Sequence, residues 1–454
     1  MPDNYYFGSG GETFITSLAI GILVVAAILI FALPRRYVVV PLLIAGLLLP
    51  QRQNIIAFGF HFPIFRILLL IGWTRCLIRR EFLSGRMNSL DKAVLWWAVC
   101  NAVTFSLLWG ELAAVTNRLG FLYTSLGAYF LLRILIRDKA DVVRVIKVMA
   151  IIVMTVAPLM LAEHLTGHNG FSVLGARELA DVRDGSIRAQ GPFGHAIIAG
   201  TFGAMLLPLF VGLWWRGERN RVLLGLGIIG STVMTIASAS STPLMTYAAG
   251  TLALLLWRAR KRMQVFRWGI VIVLAGLQLV MKAPVWFLIA HLGGAMGGTG
   301  WHRALLIDNF VRHVGEWWLI GTRNNSDWGY YMWDVDNAYV AAGVGGGLIT
   351  FVLFIAILVY AYKRIGAARK MAERFPKDAH LIWAIGAALF ANTVAFFGIF
   401  YFDQGILAWY ALLAMASVTT KFIAPTKSLE SQQDIADLSV EPPGSEKPQV
   451  LTPA

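Results

Sequence analysis

The residues best suited to chemistry in this chain are arginines and carboxylates gathered in two polar stretches of an otherwise apolar sequence. The longer stretch runs from Gly300 to Asn337 and sets Arg303, Arg312, Arg323, His302, His313, Asp308, Glu316, Asp334 and Asp336 among Trp301, Trp317, Trp318, Trp328, Tyr330, Tyr331 and Trp333. The shorter, His168 to Gln190, adds Arg177, Arg183 and Arg188. A guanidinium is a planar fork that fits a pair of phosphate oxygens and keeps its charge when partly desolvated, so two arginine groups on separate loops suit a pyrophosphate. The same side chains could instead pair with Glu178, Asp181, Asp184, Asp308 and Glu316, or extend to lipid headgroups. Asp308 and Arg312, four apart on an expected helix, read as one such structural pair; for Arg188 and Arg303 both readings stand.

The run Asp334-Val335-Asp336-Asn337 closes the long stretch where an apolar segment begins. A carboxylate there could accept a proton from a sugar hydroxyl, or cap the helix that follows. The Trp and Tyr residues could form an interfacial belt or stack on sugar faces. Trp301 to Val314 reads as an amphipathic helix, with Trp301, Leu305, Phe310, Val311 and Val314 for burial and Arg303, Asp308, Asn309, Arg312 and His313 more polar. The mixture suits an anionic, sugar-bearing lipid at a membrane surface.

Such groups need a scaffold, and the composition supplies a membrane one. The 454 residues are 57% hydrophobic and 14% charged, with a mean hydropathy of +0.66, and the apolar runs repeatedly reach the roughly 20 residues that cross a hydrocarbon core. The formal charge of +14 comes from short Lys/Arg clusters between apolar runs, the pattern that sets membrane orientation, which argues against a nucleic-acid partner. Cys76 and Cys100 lie inside apolar segments, giving neither a disulfide framework nor a Cys-based metal site. The N-terminus lacks a positive n-region, so the first apolar run is expected to be retained.

The expected fold is all-α: a polytopic helical membrane protein of twelve or thirteen spans over residues 1–422, followed by a disordered cytoplasmic tail from 423 to 454. The spans run at about Phe14–Leu33, Val38–Leu49, Ile55–Leu77, Ala93–Trp109, Gly120–Ile136, Val148–Leu165, Phe193–Trp215, Val222–Ala239, Leu244–Trp257, Trp268–Ala290, Tyr339–Tyr362, Leu381–Phe400 and Gly405–Thr419. Every strong basic cluster then falls on the cytoplasmic side, and the outer loops at about 167–191 and 291–338 hold the candidate site. Val38–Leu49 is short enough to be re-entrant, which would change only the side of the N-terminus. His61, Arg66, Asn101 and Glu163-His164 are polar groups in or near spans, which by default invite a functional hypothesis; inter-helix hydrogen bonding is the favoured role. The glycines of Gly343-Val-Gly-Gly-Gly347 suit close helix packing. No P-loop, Rossmann fingerprint or HExxH site is present.

Five motifs in order carry a resemblance: Arg188-Ala-Gln-Gly-Pro-Phe-Gly-His195 opening a span, the Ser-rich Ser238 to Ser241, Trp301-His-Arg303 starting a helix, Leu319-Ile-Gly321, and Asp336-Asn-Ala-Tyr339 before a glycine-rich span. Together they resemble the O-antigen ligase and polymerase superfamily of bacterial envelope glycan assembly. The resemblance implies a metal-independent, inverting glycosyltransferase without cofactor, at the periplasmic face of the inner membrane. Its donor would be an undecaprenyl-pyrophosphate-linked oligosaccharide and its acceptor a glycan or lipid-linked unit, with membrane lipids, a chain-length regulator and a flippase as further partners. Arg188 and Arg303 would hold the pyrophosphate, Asp336 would act as base, and His195, His302, Arg312, Arg323, Asn337 and Tyr339 would bind substrate. Two positions depart from the ligase pattern: Asp336-Asn337 stands where ligases have His-Asn, and Ser-Ser-Thr-Pro where they have Ser-Arg-Gly. Losing the histidine favours a polymerase of exopolysaccharide or O-antigen repeat units. The alternatives are a ligase to lipid A-core or another acceptor, and, from another class, a lipid-linked oligosaccharide flippase or a non-catalytic assembly subunit.

Overall fold

The structure, a computed structural model, describes residues 13–50, 52–57, 60–295, 300–402 and 404–423; the tail expected beyond Ile423 lies outside them. The chain opens with α1 (Ser17–Ala32) and α2 (Arg35–Leu48), an antiparallel hairpin of β1 (Asn54–Ala57) and β2 (Phe60–Pro63), then α3 (Ile64–Ile78), α4 (Ser89–Trp109), α5 (Leu112–Leu135) and α6 (Lys139–Thr166). A second hairpin, β3 (Asp181–Arg183) and β4 (Ser186–Arg188), precedes α7 (Ala196–Arg216), α8 (Arg221–Ala237), α9 (Ser241–Leu255) and α10 (Met263–Val280). The shorter α11 (Leu288–Ala295), α12 (Gly300–Arg312) and α13 (Val314–Trp317) lead to α14 (Ala338–Val344), α15 (Gly347–Met371), α16 (Pro376–Ala395) and α17 (Gly405–Val418).

This is an all-α helical membrane protein, and every expected span contains a helix. By length and composition, six helices among the described residues suffice to cross a membrane: α4, α6, α7, α15, α16 and α17, with α15 and α17 extended by 3₁₀ turns. The bent pair of α9 and α10 would make a seventh. That is fewer than twelve or thirteen, for local reasons. The expected third span loses its first residues to the β1–β2 hairpin, so α3 begins only at Ile64. At 14 to 16 residues, α1, α2 and α3 are about 21–24 Å long, short of a hydrocarbon core of about 30 Å. The expected tenth span ends at Val280, ahead of Pro284, and the eleventh breaks at Gly345-Gly346.

Helix α7 is the centre of the bundle, buried along most of its length and packed on α8, α9 and α16. Its glycines permit the approach. A Cβ at Gly203 would come within 2.8 Å of the Met234 Cβ on α8, and one at Gly212 would overlap Ala384 on α16. Between apolar helices in lipid, close packing of small residues replaces the hydrophobic drive available in water. The N-terminal end of α7 therefore reaches the bundle's polar end from its most rigid element.

At the other end the basic clusters join in one layer. Arg35 pairs with Asp141 at 3.0 Å, Lys139 with Asp378 at 2.9 Å and Arg216 with Glu218 at 2.6 Å, and the Arg369 Nη1 donates to the Arg260 carbonyl at 2.8 Å. The long polar stretch is stitched to the break between α14 and α15: the Thr322 N–H donates to the Val344 carbonyl at 2.9 Å and the Leu348 N–H to the Trp318 carbonyl at 2.8 Å. Gly347 makes this seam possible, with φ +74° and space for a Cβ only 2.5 Å from the Leu319 carbonyl oxygen. Gly347→Ala is expected to lower stability by about 1–3 kcal/mol, since left-handed strain adds to the clash. Thermal unfolding in detergent checks this, and an unchanged midpoint would count against the seam.

Candidate functional site

A cavity of about 1010 Å³ opens at the N-terminal end of α7. The β3–β4 hairpin, the start of α7, helix α12, the Gly329–Asp336 segment and residues 398–402 after α16 form its walls. Arg183, Arg188, His195, His302, Asp334 and Asp336 supply its polar lining, and Arg303 lies directly behind Asp336 and Gly398.

Both key arginines are seated on one turn. The Arg303 guanidinium, 2% exposed, donates from Nη1 to the Ser241 Oγ at 3.2 Å and from Nη2 to the Thr242 Oγ1 at 2.7 Å. Thr242 can accept because its own proton goes to the Gly398 carbonyl, at 3.1 Å. Arg188 donates from Nη2 to the Ser240 Oγ at 3.3 Å and from Nη1 to Asp181 at 3.4 Å. Ala239, just before these hydroxyls, holds φ +42°, a strained value for a residue with a Cβ. Three consecutive hydroxyl residues, the N-cap and first two residues of α9, thus serve two guanidinium groups without neutralising either.

The carboxylates complete that balance only in part. Asp336 approaches the Arg303 Nε at 3.8 Å, an ion-pair distance too long for a hydrogen bond. The Nε atoms of Arg188 and Arg303 and the Oδ1 of Asp336 are buried without hydrogen-bond partners among the described residues. Burial pushes both guanidinium groups below their usual range, opposed by Asp181 for Arg188 and by Asp336 for Arg303; arginine stays charged at this scale of effect. Burial likewise raises the Asp336 carboxyl, with Arg303 and then His302 pulling it back and Asp334 pushing it further up.

His195 caps α7, its Nδ1 accepting the Ile197 N–H at 3.1 Å, which puts the neutral ring's proton on Nε2. Burial, then the Arg188 charge, lowers its pKa and favours this neutral form. The turn from Arg188 to His195 is fixed from several sides. Glu163, wholly buried, accepts the Gln190 and Gly191 N–H groups at 3.1 and 2.8 Å; Asn169 donates to the Gly191 carbonyl at 2.7 Å and Gln404 to the Pro192 carbonyl at 2.7 Å. Asp184 and Gly185, both with positive φ, close the β3–β4 hairpin that carries Arg183 and Arg188, the Asp-Gly pair being suited to that turn.

Of the residues expected from the sequence, Arg188, His195, Arg303, His302 and Asp336 come together here. Four others do not. Asn337 is the N-cap of α14, its Oδ1 accepting the Tyr339 and Val340 N–H groups. Tyr339 donates its hydroxyl to the Thr393 carbonyl at 2.8 Å and packs on Phe397. Arg312, itself exposed, is taken by the buried Asp308 at 2.7 Å, the structural pair expected from their spacing. Arg323 donates to the Leu108 and Trp109 carbonyls, closing the C-terminus of α4. The amphipathic helix exists as α12, but its faces differ from expectation: Arg303, Ala304, Leu306, Asp308 and Phe310 are buried, while Trp301, Val311 and Val314 are exposed. The cause is polar: Arg303 has its hydroxyl seat, and Asp308 is held by Arg312 and the Trp286 indole.

The sequence places Arg183 only within the outer arginine group and Ser240 and Ser241 only within a Ser-rich motif, and gives Thr242 and Gly398 no individual role. The hydroxyl run was visible as a motif, but nothing local marked it as an arginine seat, and Gly398 had no signal. No protein-family model matches the chain, and no curated protein matches it.

A Cβ at Gly398 would stand 2.8 Å from both the Arg303 Cζ and the Thr242 Oγ1. Gly398→Ala is expected to cost about 1–3 kcal/mol by overpacking, and Thr242→Val about 1–3 kcal/mol by leaving Arg303 short of a partner. Because both act on the same guanidinium, the double variant should lose less than the sum. Additive losses in thermal unfolding would refute a shared seat.

Proposed function

We propose that this chain is a glycosyltransferase of the bacterial inner membrane, polymerising undecaprenyl-pyrophosphate-linked glycan repeat units with its cavity facing the periplasm. The observation that carries the reading is the pair of buried arginines, seated on neutral hydroxyls beside a carboxylate with an unpartnered oxygen, at the mouth of an apolar bundle. Positive charge held without full neutralisation is what a dianionic pyrophosphate requires. The basic layer at the opposite end supports the orientation, since such clusters collect on the cytoplasmic side. The ordered motifs support the choice of donor and the expectation of chemistry without a metal.

In this reading Arg188 and Arg303 span the donor pyrophosphate, and the His195 Nε2–H adds a donor beside Arg188. An acceptor hydroxyl attacks the anomeric carbon from the face opposite the leaving oxygen. As the new C–O bond forms, the bond to the pyrophosphate breaks, inverting the configuration. The hydroxyl proton goes to Asp336, and the negative charge developing on the leaving group is met by guanidinium groups already in place, so little reorganisation is needed. Asp336 in place of a histidine favours polymerase over a ligase to lipid A-core.

Reconstitution into proteoliposomes with labelled lipid-linked repeat units tests the class. Chain growth without nucleotide sugar is the expected result, transfer only to lipid A-core would mean a ligase, and movement across the bilayer without new bonds would mean a flippase. Arg303→Ala and Arg188→Ala should each slow transfer by about 10²–10³-fold while the protein still inserts, the effect of losing one preorganised charge. Near-normal turnover in either variant would sink the clamp.

The pH dependence has a definite sign. Asp336 acts deprotonated, and burial raises its proton affinity, so transfer is lost as pH falls through a midpoint above the ordinary aspartate value of about 3.9. Asp336→Asn should slow transfer by about 10²–10⁴-fold and remove that acid limb. A variant keeping both the rate and the limb would leave Asp336 without a role as base.

A further inference from the structure

One wall of the cavity has no part in holding a pyrophosphate. Besides the arginines, Trp301, Tyr330, Tyr331, Phe400 and Phe402 line the chamber together with His302, Asp334 and Asp336. Rings of an interfacial belt face lipid, whereas these share a chamber with ionisable groups. Tyr330 and Tyr331 are the most telling, being 85% and 50% exposed while their neighbours Trp328 and Met332 are buried.

Those neighbours anchor the turn. The Trp328 indole stacks on His313 with ring centroids 5.1 Å apart and donates to Glu316 at 2.8 Å, and Met332 lies in a separate small core with Leu306, Phe310 and Trp317. Asn325 donates to the Met332 carbonyl, the Met332 N–H to Gly329 and the Asp334 N–H to Tyr331, and His302 reaches the Asp334 carbonyl at 3.3 Å. From this base the two tyrosines project as an edge-to-face pair, centroids 4.3 Å apart. Tyr331 also holds φ +57°. Glycine or asparagine would occupy that backbone with less strain, so the fold places a large ring where its own stability favours none, a feature associated with ligand-binding positions.

We infer that the Gly329–Asp334 turn is a saccharide platform, on which the rings of Tyr330 and Tyr331 receive the acceptor glycan and bring its hydroxyl toward Asp336. Sugar rings carry apolar C–H faces that stack on aromatic side chains, and a stacked sugar keeps its hydroxyls free for neighbouring polar groups. The cavity thus divides into an anionic-ligand wall and a carbohydrate wall meeting at Asp336. This assignment rests on the glycosyltransferase reading for the word acceptor, but saccharide binding by the platform can be measured without any transfer.

The probe is oligosaccharide freed by mild acid from the lipid-linked pool of the producing cells, titrated into the detergent-purified full chain with tryptophan fluorescence as readout, Trp301 lying in the chamber. Saturable binding is expected, weakened roughly three- to tenfold by Tyr330→Ala or Tyr331→Ala and kept within about twofold by Tyr331→Phe. Tyr331→Asn should weaken binding as alanine does without lowering the unfolding temperature, because it relieves the backbone while removing the ring. Absence of saturable binding by the unaltered protein, or binding indifferent to both alanine variants, overturns the platform. The transfer assay on the same preparations separates the two ideas. Transfer with tyrosine-independent binding overturns the platform alone, and tyrosine-dependent binding without transfer overturns the enzyme and keeps the platform.

Discussion

The structure of the site follows from the need to bury the Arg303 guanidinium without neutralising it. A desolvated cation is costly unless its donors are met, and here they are met by hydroxyls from one turn, with a carboxylate standing off at 3.8 Å. That arrangement requires α12 to turn a charged face inward, the α8–α9 turn to present consecutive hydroxyls, and the chain after α16 to pass with a glycine at 398. It also requires Asp336 to close the long loop at the right height, which Asn337 secures by capping α14. Four segments distant in sequence are thus held by one charge.

The rigidity behind that convergence comes from α7. Its packing on α8 and α16 through glycine contacts fixes the position of the α8–α9 turn and of the segment leaving α16. His195 caps the same helix, and Glu163 ties the preceding turn to α6. Arg188 and Arg303 therefore meet neighbouring hydroxyls on a common scaffold. Charge placed in this way needs little rearrangement when an anion arrives, which is the condition under which electrostatic stabilisation is most effective.

Much of this was legible in the sequence, and the misses have physical reasons. Apolar runs and basic clusters located the helices and the polar end, because bilayer thickness and backbone hydrogen bonding leave few options. Arginines outside the cytoplasmic pattern pointed to Arg188 and Arg303. The burial pattern of α12 was misread because periodicity assumes that charged residues face water, and Arg303 is buried by partners sixty residues earlier in the chain. Arg323 and Asn337 looked like ligands for a related reason: their roles as helix caps depend on carbonyls and N–H groups whose positions only the fold supplies. The length of α3 was overestimated since Ile55 to Phe62 is apolar enough for a helix, yet Asn54–Ala57 and Phe60–Pro63 pair as antiparallel strands.

A comparison within the molecule separates structural arginines from the two at the cavity. Arg133 is as buried as Arg303, but it meets Asp91 through Nε at 2.9 Å and Nη2 at 3.3 Å, with the Tyr129 hydroxyl on the same carboxylate at 2.6 Å. Arg75 likewise meets Glu81 at 2.7 and 3.2 Å and the Ile30 carbonyl. In both, a carboxylate in hydrogen-bond contact cancels the charge, even though one Arg133 nitrogen lacks a partner. Arg303 has only neutral hydrogen-bond acceptors, and Arg188 adds to its hydroxyl one long contact with a half-exposed aspartate. Burial alone would have marked all four residues as equivalent. The chemistry of the partner distinguishes them: a matched carboxylate makes a buried arginine part of the scaffold, and a hydroxyl seat leaves its field available to a ligand.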